Sequence, residues 1–193
     1  DTDNGVFAVR SGGVTRTAFV SHPDKVAVYS IKADEKTDIK LTAKTPHKGG
    51  SGVMQGTFVP YGRAPDVALP NYLRTALFPI RYNEGKAMVF AMAVSAESDG
   101  KVTISSRGIS VKNASFVHFY FLTHTGFKDY KSMPENDAAT VAGECINNLK
   151  CKRLTYHAVH ERHISDFSSI MPRQKAHGPT GADDAGTIYD GSR

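Results

Sequence analysis

The chain has 193 residues, of which 40% are apolar and 22% are charged. This composition provides a buried core and argues against wholesale disorder. The net charge is +5, but the lysines are dispersed among acidic residues, which favours a solvated surface over nucleic-acid binding. No apolar run reaches the roughly 18–20 residues of a membrane span. We therefore expect neither a nucleic acid, given the dispersed charge, nor a membrane as a partner.

Both ends of the chain suggest a part of something larger. The sequence opens DTDNG without an initiator Met, and residues 174–193 are rich in Gly, as linkers are. We therefore expect a β domain over 1–135, linker helices over 136–172, and a poorly ordered linker or start of a further domain over 173–193.

The first two thirds of the chain read as β-structure. Alternation of apolar and polar residues predicts strands at 5–10, 14–21, 25–32, 39–43, 53–59, 87–95, 101–105, 108–111 and 115–123. Asp34, Glu35 and Asp38 are expected in a solvated turn between two of them. About nine short strands at this spacing predict a mainly β, antiparallel sandwich.

The hydrophobic period then changes to that of helices. Asn136-Asp137 can cap a first helix that runs to about Leu149. A second helix is predicted from about 152 to 170, ending before Pro172. One of its faces carries Tyr156, His160, His163, Phe167 and Ile170.

Three histidines of that second helix, His157, His160 and His163, raise the question of a metal site. Their motif is HAVHERH rather than His-Glu-x-x-His, and steps of three spread the rings around the helix. We expect packed rings, no metal and no cofactor. A nucleophile elbow, a phosphate loop and a marked carboxylate pair are also missing from the sequence, so the residues by themselves mark no catalytic site.

Two local features fit an extracellular protein. Cys145 and Cys151 are the only cysteines and lie close enough in sequence for a small disulfide loop, although free thiols are the alternative. Asn113-Ala114-Ser115 is a glycosylation sequon, a pattern that also arises by chance. Together they favour secretion.

A stiff segment follows the predicted strand 53–59. Residues 61–72 contain two Pro, two Tyr, Arg63 and Asn71. Planar and hydrogen-bonding side chains on a long loop suit contact with a neighbouring domain or a polar ligand, while an ordinary connection is the alternative.

Motifs in this loop and elsewhere resemble a known family. Gly62–Pro65 (GRAP) and Pro70–Tyr72 (PNY) resemble a signature of the amino-terminal β-sandwich domain of glycoside hydrolase family 95. Further stretches agree in order: HPDKV at 22–26, AMVF at 87–90, TGF at 125–127 and HISDF at 163–167. Two positions depart from the family pattern, Thr17 in place of Glu and Gly126 in place of Ser.

The resemblance implies an antiparallel β-supersandwich, two linker helices and, beyond them, an (α/α)6 catalytic barrel. The parent enzyme would release α-L-fucose or α-L-galactose from oligosaccharides by inverting hydrolysis, with its catalytic residues in the barrel. This domain would pack on the barrel and shape its active-site rim through Arg63, Asn71 and Tyr72, with Thr125 and Asp129 as weaker candidates. A stand-alone carbohydrate-binding module and a purely structural interaction domain are the alternatives.

Overall fold

The computed structural model describes residues 4–70, 72, 77–83, 87–152 and 154–171. Within them the chain forms ten strands followed by two helices. The strands are β1 (Phe7–Ser11), β2 (Val14–Ser21), β3 (Val26–Leu41), β4 (Lys48–Met54), β5 (Thr57–Arg63), β6 (Val67–Ala68), β7 (Ile80–Arg81), β8 (Val89–Ser98), β9 (Lys101–Ser105) and β10 (Gly108–Thr125). The helices are α1 (Ala138–Lys150) and α2 (Tyr156–Ile170).

Eight of the strands form one antiparallel sheet. Its order is β1-β2-β3-β10-β8-β5-β4, with β9 pairing to β10 beside this path, and β6 and β7 form a separate two-stranded ribbon. Tight turns with glycine at positive φ, such as Gly12-Gly13 between β1 and β2, connect neighbouring strands. The predicted mainly antiparallel β fold is confirmed.

Two long strands carry the sheet around into a second layer. β3 is continuous through residues 34–38, so the turn predicted at Asp34, Glu35 and Asp38 is wrong. Its partner β10 instead bends at a bulge between Val111 and Phe116, where Asn113 has φ 55° and donates its backbone N–H to Asp38 Oδ1 at 3.0 Å. The single strand predicted at 53–59 is likewise two strands, because Gln55 and Gly56 both have positive φ and form a hairpin turn.

Each face of the sheet has its own hydrophobic cluster. On one face, residues of β3, β8 and β10 pack against helix α1, whose Val141, Cys145 and Ile146 are at most 1% exposed. On the other face, the first half of β10 and strand β9 fold over Phe58 and Val94. Ser51 Oγ on β4 donates to Ser106 O in the β9–β10 turn at 2.7 Å and joins the two layers at that edge.

The helices differ in how they begin. Asp137 caps α1 as the sequence predicted, accepting the backbone N–H groups of Ala139 and Thr140. α2 begins at Tyr156, four residues later than predicted, after a turn that separates the helices. Neither described helix is long and apolar enough to cross a membrane. The domain boundary at residue 135 stays a prediction, and 173–193 lie outside the described residues.

Candidate functional site

Four strands of the sheet have one terminus at the same end of the sheet. Strands β4 and β8 begin there, and strands β5 and β10 finish there. Antiparallel register places Lys48 beside Arg63, Arg63 beside Val89, and Thr125 beside Phe90. We call this end of the sheet the Arg63 rim. Two of the residues predicted for the site, Arg63 and Thr125, therefore lie at the same end of the sheet, on strands separated only by β8.

Arg63 binds main-chain groups of two loops. Its Nη1 donates to Ala87 O at 3.0 Å and its Nη2 donates to Asn136 O at 3.1 Å. The segment before β8 and the segment before α1 are thereby fixed to the end of β5. Because its two terminal nitrogens are engaged with the backbone, Arg63 positions the rim.

Gly62, the first residue of the GRAP motif, has a packing reason to be glycine. A Cβ atom at this position would lie 2.5 Å from Cζ of Phe90, the cross-strand neighbour on β8. Any larger residue would displace the Phe90 ring from β5. The motif therefore sets the position of an aromatic side chain at the rim.

The loop that follows β10 is closed on itself. Gly126 donates its N–H to Val89 O at 2.9 Å and accepts from Glu135 N at 2.7 Å. Within the loop, Asp129 accepts from the backbone N–H of Lys131 at 2.7 Å and from Ser132, and these hydrogen bonds lower the pKa of Asp129. The predicted site residue Asp129 thus shapes a turn, and Thr125 Oγ accepts the N–H of Phe127 at 3.4 Å.

Large apolar side chains project from the rim into solvent. They come from the β6–β7 ribbon with the residues around it and from the loop after β10. We call this set the rim ridge: Leu69, Tyr72, Leu77, Phe78, Ile80, Phe127, Tyr130 and Met133. The predicted site residue Tyr72 is among them and is 76% exposed, whereas Asn71 lies outside the described residues.

A cleft of about 550 Å³ opens beside the rim, at the mouth of the sandwich. Its floor is Phe90 and Met92 of β8, and their cross-strand neighbours Thr125 and Thr123 form one wall. Lys44, Thr45 and the Gly49–Ser51 stretch of β4 form the other wall. We call it the Phe90 cleft. Sequence analysis missed it because its residues come from four strands, β4, β5, β8 and β10, and from residues 43–45.

A buried polar row underlies α2, and sequence analysis missed it as well. Ser30, His118 and Glu97 are direct cross-strand neighbours on β3, β10 and β8, and Ser30 Oγ lies 2.8 Å from His118 Nδ1. Ser30 is 1% exposed, which excludes it as a nucleophile for an external substrate. Glu97 accepts from the Tyr120 hydroxyl and from the backbone N–H of Tyr156, so the row anchors the start of α2.

The histidines of α2 pack as rings, as the sequence suggested. His163 stacks on Phe19 with a centroid distance of 4.8 Å, and His160 stacks on Tyr156 at 5.6 Å. His157 pairs with Glu161 on the exposed face. The described part of the chain holds no group of three or more His, Cys, Asp or Glu side chains that can share a metal ion.

The cysteines do not form the disulfide that the sequence suggested. Both are free thiols, Cys145 buried and Cys151 exposed. The reason is geometric: six helical positions rotate the second side chain by about 120° from the first, and Cys145 Sγ faces Leu122 O at 3.0 Å. The sequon residue Asn113 lies exposed at the β10 bulge, and its glycosylation stays a prediction.

A comparison with protein families agrees with the fold. Residues 3–130 match the family model described as "Glycosyl hydrolase family 65, N-terminal domain". A solved structure named "Putative kojibiose phosphorylase from human microbiome" is similar with a TM-score of 0.47 at 9% identity, over 86% of this chain and 23% of that one. No curated protein matches the chain. The motifs resembled family 95, whereas the matching model carries the number 65; both are amino-terminal domains of glycoside hydrolases.

Proposed function

Because the chain belongs to the family described as "Glycosyl hydrolase family 65, N-terminal domain", we propose that it is the non-catalytic domain of a glycoside-cleaving enzyme. In this proposal the rim ridge docks on the catalytic domain, and the Arg63 rim holds the two loops that carry the ridge. The observation that carries the proposal is the concentration of exposed apolar side chains at this one edge of the sheet.

The rim ridge is an exposed apolar surface of the kind that a partner covers in a protein interface. Leu77 is 89% exposed, Tyr130 87% and Phe78 75%. Soluble proteins seldom present contiguous apolar patches larger than a few hundred Å² unless a partner covers them. Aromatic and aliphatic side chains of this size are the usual anchors of domain interfaces.

The acidic groups near the rim support a non-catalytic role. Partial desolvation would raise the pKa of Asp66, but hydrogen bonds from Asn83 lower it. The backbone N–H of Asp137 lowers the pKa of Glu135, and the Thr140 hydroxyl lowers that of Asp137. A general acid for glycoside cleavage needs a raised pKa, and these three carboxylates have the opposite.

We also propose a substrate and a reaction for the parent enzyme. Motif resemblance supports terminal α-L-fucose or α-L-galactose as the sugar and inverting hydrolysis as the reaction. The exposed sequon at Asn113 supports secretion as the location. Assays of the parent protein with nitrophenyl α-L-fucoside, α-L-galactoside and α-D-glucoside, each with and without inorganic phosphate, test the sugar and the reaction. Cleavage of the α-D-glucoside alone, or a strict need for phosphate, would replace the fucosidase proposal.

Hydrogen exchange tests the docking proposal. Amides of 67–69, 77–81 and 126–133 are expected to exchange more slowly in the parent protein than in this chain alone, because the catalytic domain covers them. Strand β9, which pairs with residues 108–112 of β10 and contributes nothing to the rim ridge, is the internal control and should exchange equally in both. Equal exchange at the rim ridge in both proteins would exclude docking there.

Substitution gives a second test of docking in the parent protein. Phe78→Ser and Tyr130→Ser are expected to increase exchange at the ridge and to lower the melting temperature of the parent by a few degrees. Val102→Ser, at an exposed position of β9, is the matched control. If the ridge variants behave as the control does, the ridge is not the interface.

A further inference from the structure

We propose that the Phe90 cleft is a binding site for a neutral saccharide. The proposal concerns this chain by itself and does not depend on where the catalytic domain docks. The volume of the Phe90 cleft, about 550 Å³, lies within the range of small-molecule sites, roughly 300–1,000 Å³.

The floor of the cleft is an aromatic platform. The Phe90 ring packs against the backbone of Gly62, where any Cβ would lie 2.5 Å from Cζ. The His47 ring contacts it in a T-shaped arrangement, with a centroid distance of 5.9 Å and an interplanar angle of 73°. A ring held in place in this way can stack against the apolar C–H face of a pyranose.

The walls supply polar groups around that platform. The Thr123 hydroxyl and the Lys44 ammonium belong to exposed residues at the cleft. Ser51 Oγ donates to Ser106 O and keeps its lone pairs for a ligand donor. Hydroxyl and ammonium groups on either side of an apolar floor match a polyol ring, which has hydroxyls at its edge and C–H groups on its face.

The charges of the lining select the ligand class further. Among the described lining residues, Lys44 is the only permanent cation and none is a carboxylate. Recognition of a phosphate or carboxylate usually uses bidentate Arg groups, so the lining favours an uncharged ligand. Glycoside cleavage normally needs at least one carboxyl group as the general acid, and the described lining holds none, so the cleft binds sugar without cutting it.

Nuclear magnetic resonance on the ¹⁵N-labelled 193-residue chain tests the proposal. The probes are L-fucose, D-galactose, D-glucose and maltose, each titrated to about 100 mM, since a single shallow site gives millimolar affinity. Saturable shifts are expected at amides of 44–45, 49–51 and 123–125 for at least one probe. No saturable shift with any of the four would overturn the proposal, whatever the outcome of the docking tests.

Two variants and a control connect binding to the cleft. Phe90→Leu removes the aromatic face, and Thr123→Ala removes one hydroxyl without touching the floor. We expect at least a tenfold weaker affinity from the first and a several-fold weaker affinity from the second. Phe7→Leu replaces an exposed aromatic residue of β1, 63% exposed, and should bind as the unmodified chain does. Unchanged affinity in Thr123→Ala and in a folded Phe90→Leu would place any binding elsewhere.

Discussion

The guanidinium of Arg162 binds both carboxylate oxygens of Asp24, a residue 138 positions earlier in the chain. Nη2 donates to Oδ1 at 2.7 Å, and Nε donates to Oδ1 and Oδ2 at 3.1 and 3.2 Å. The Ser21 hydroxyl donates to the same carboxylate at 2.7 Å. This group of contacts ties α2 to the turn between β2 and β3.

Arg162→Ala is expected to destabilise the chain by about 1–3 kcal/mol, because it leaves Asp24 buried without its cation. The loss stays below that of a fully buried pair because 46% of the Arg162 side chain is exposed. Arg162→Lys should recover part of it, since an ammonium lacks the planar fork. Urea unfolding measures both, with Arg107→Ala on an exposed turn as control; equal loss in the two alanine variants would contradict the prediction.

The Asp24–Arg162 pair predicts that the stability of the fold decreases at acidic pH. Burial alone would raise the pKa of Asp24, but hydrogen bonds from Arg162 and Ser21 and the Arg162 charge together lower it below 3.8. A carboxyl group with a lowered pKa stabilises the fold above its unfolded value, and the contribution disappears as pH falls through the folded value. Urea midpoints between about pH 5 and pH 2 should therefore fall less steeply in Arg162→Ala than in the unmodified chain.

His118 predicts a second dependence of folding stability on pH, at higher pH values than that of Asp24. Burial lowers its pKa from 6.5 to about 4, against the opposing charge of Glu97. The unfolded chain takes up this proton near pH 6.5, whereas the folded chain waits until about pH 4, so stability falls across that window as pH decreases. The full effect is on the order of 3 kcal/mol.

His118→Asn should remove this pH effect while keeping a polar partner for Ser30. His157→Asn, on the exposed face of α2, is the control and should keep it. The measurement is the urea midpoint at pH 7 and pH 5 for the three proteins. The prediction is refuted if His118→Asn is as sensitive to pH as the control.

Gly126 replaces the Ser of the family pattern, and the structure gives a reason. A Cβ at this position would lie 1.9 Å from Glu135 O, a main-chain atom that cannot move without opening the loop. We expect Gly126→Ala to cost roughly 2 kcal/mol or more. Gly52→Ala, where no atom lies within 4 Å of the added Cβ, should be within about 0.5 kcal/mol of the unmodified chain. Equal unfolding midpoints of the two variants would contradict this explanation.

The two thiols should differ in reactivity. Burial raises the pKa of Cys145, which is fully enclosed between α1 and the sheet, whereas Cys151 is exposed. Ellman's reagent should titrate one thiol at once and the second only after unfolding. Mass spectrometry of the alkylated native protein identifies the modified residue. Rapid modification of both, or of neither, would contradict the assignment.

Patterns with a local cause could be predicted from the sequence. The strands β2 and β9 lie at their predicted bounds, and Asp137 caps α1, because alternation, an Asp-Gly turn and a capping carboxylate act over a few residues. The error at residues 34–38 has a tertiary cause. A run of acidic and basic residues continues as a strand there because β10 pairs with it on both sides of a bulge.

The candidate site was predictable only in part. Arg63 and Thr125 were singled out and do lie at one edge of the sheet, but their contacts are to main-chain groups of loops that no pattern connects to them. The Phe90 cleft and the row from Ser30 to Glu97 arise from strand order. Strand order depends on which distant segments pair, and alternation along one strand carries no information about that.

The bend in β10 has a consequence for how the chain unfolds. Residues 117–125 of this strand pair with β8, and residues 108–112 pair with β9, so one strand belongs to both hydrophobic clusters. Loosening either cluster frees a length of β10 on which the other depends. The two clusters are therefore bound into a single cooperative unit, and calorimetry should record one transition in which sheet and overlying strands are lost together.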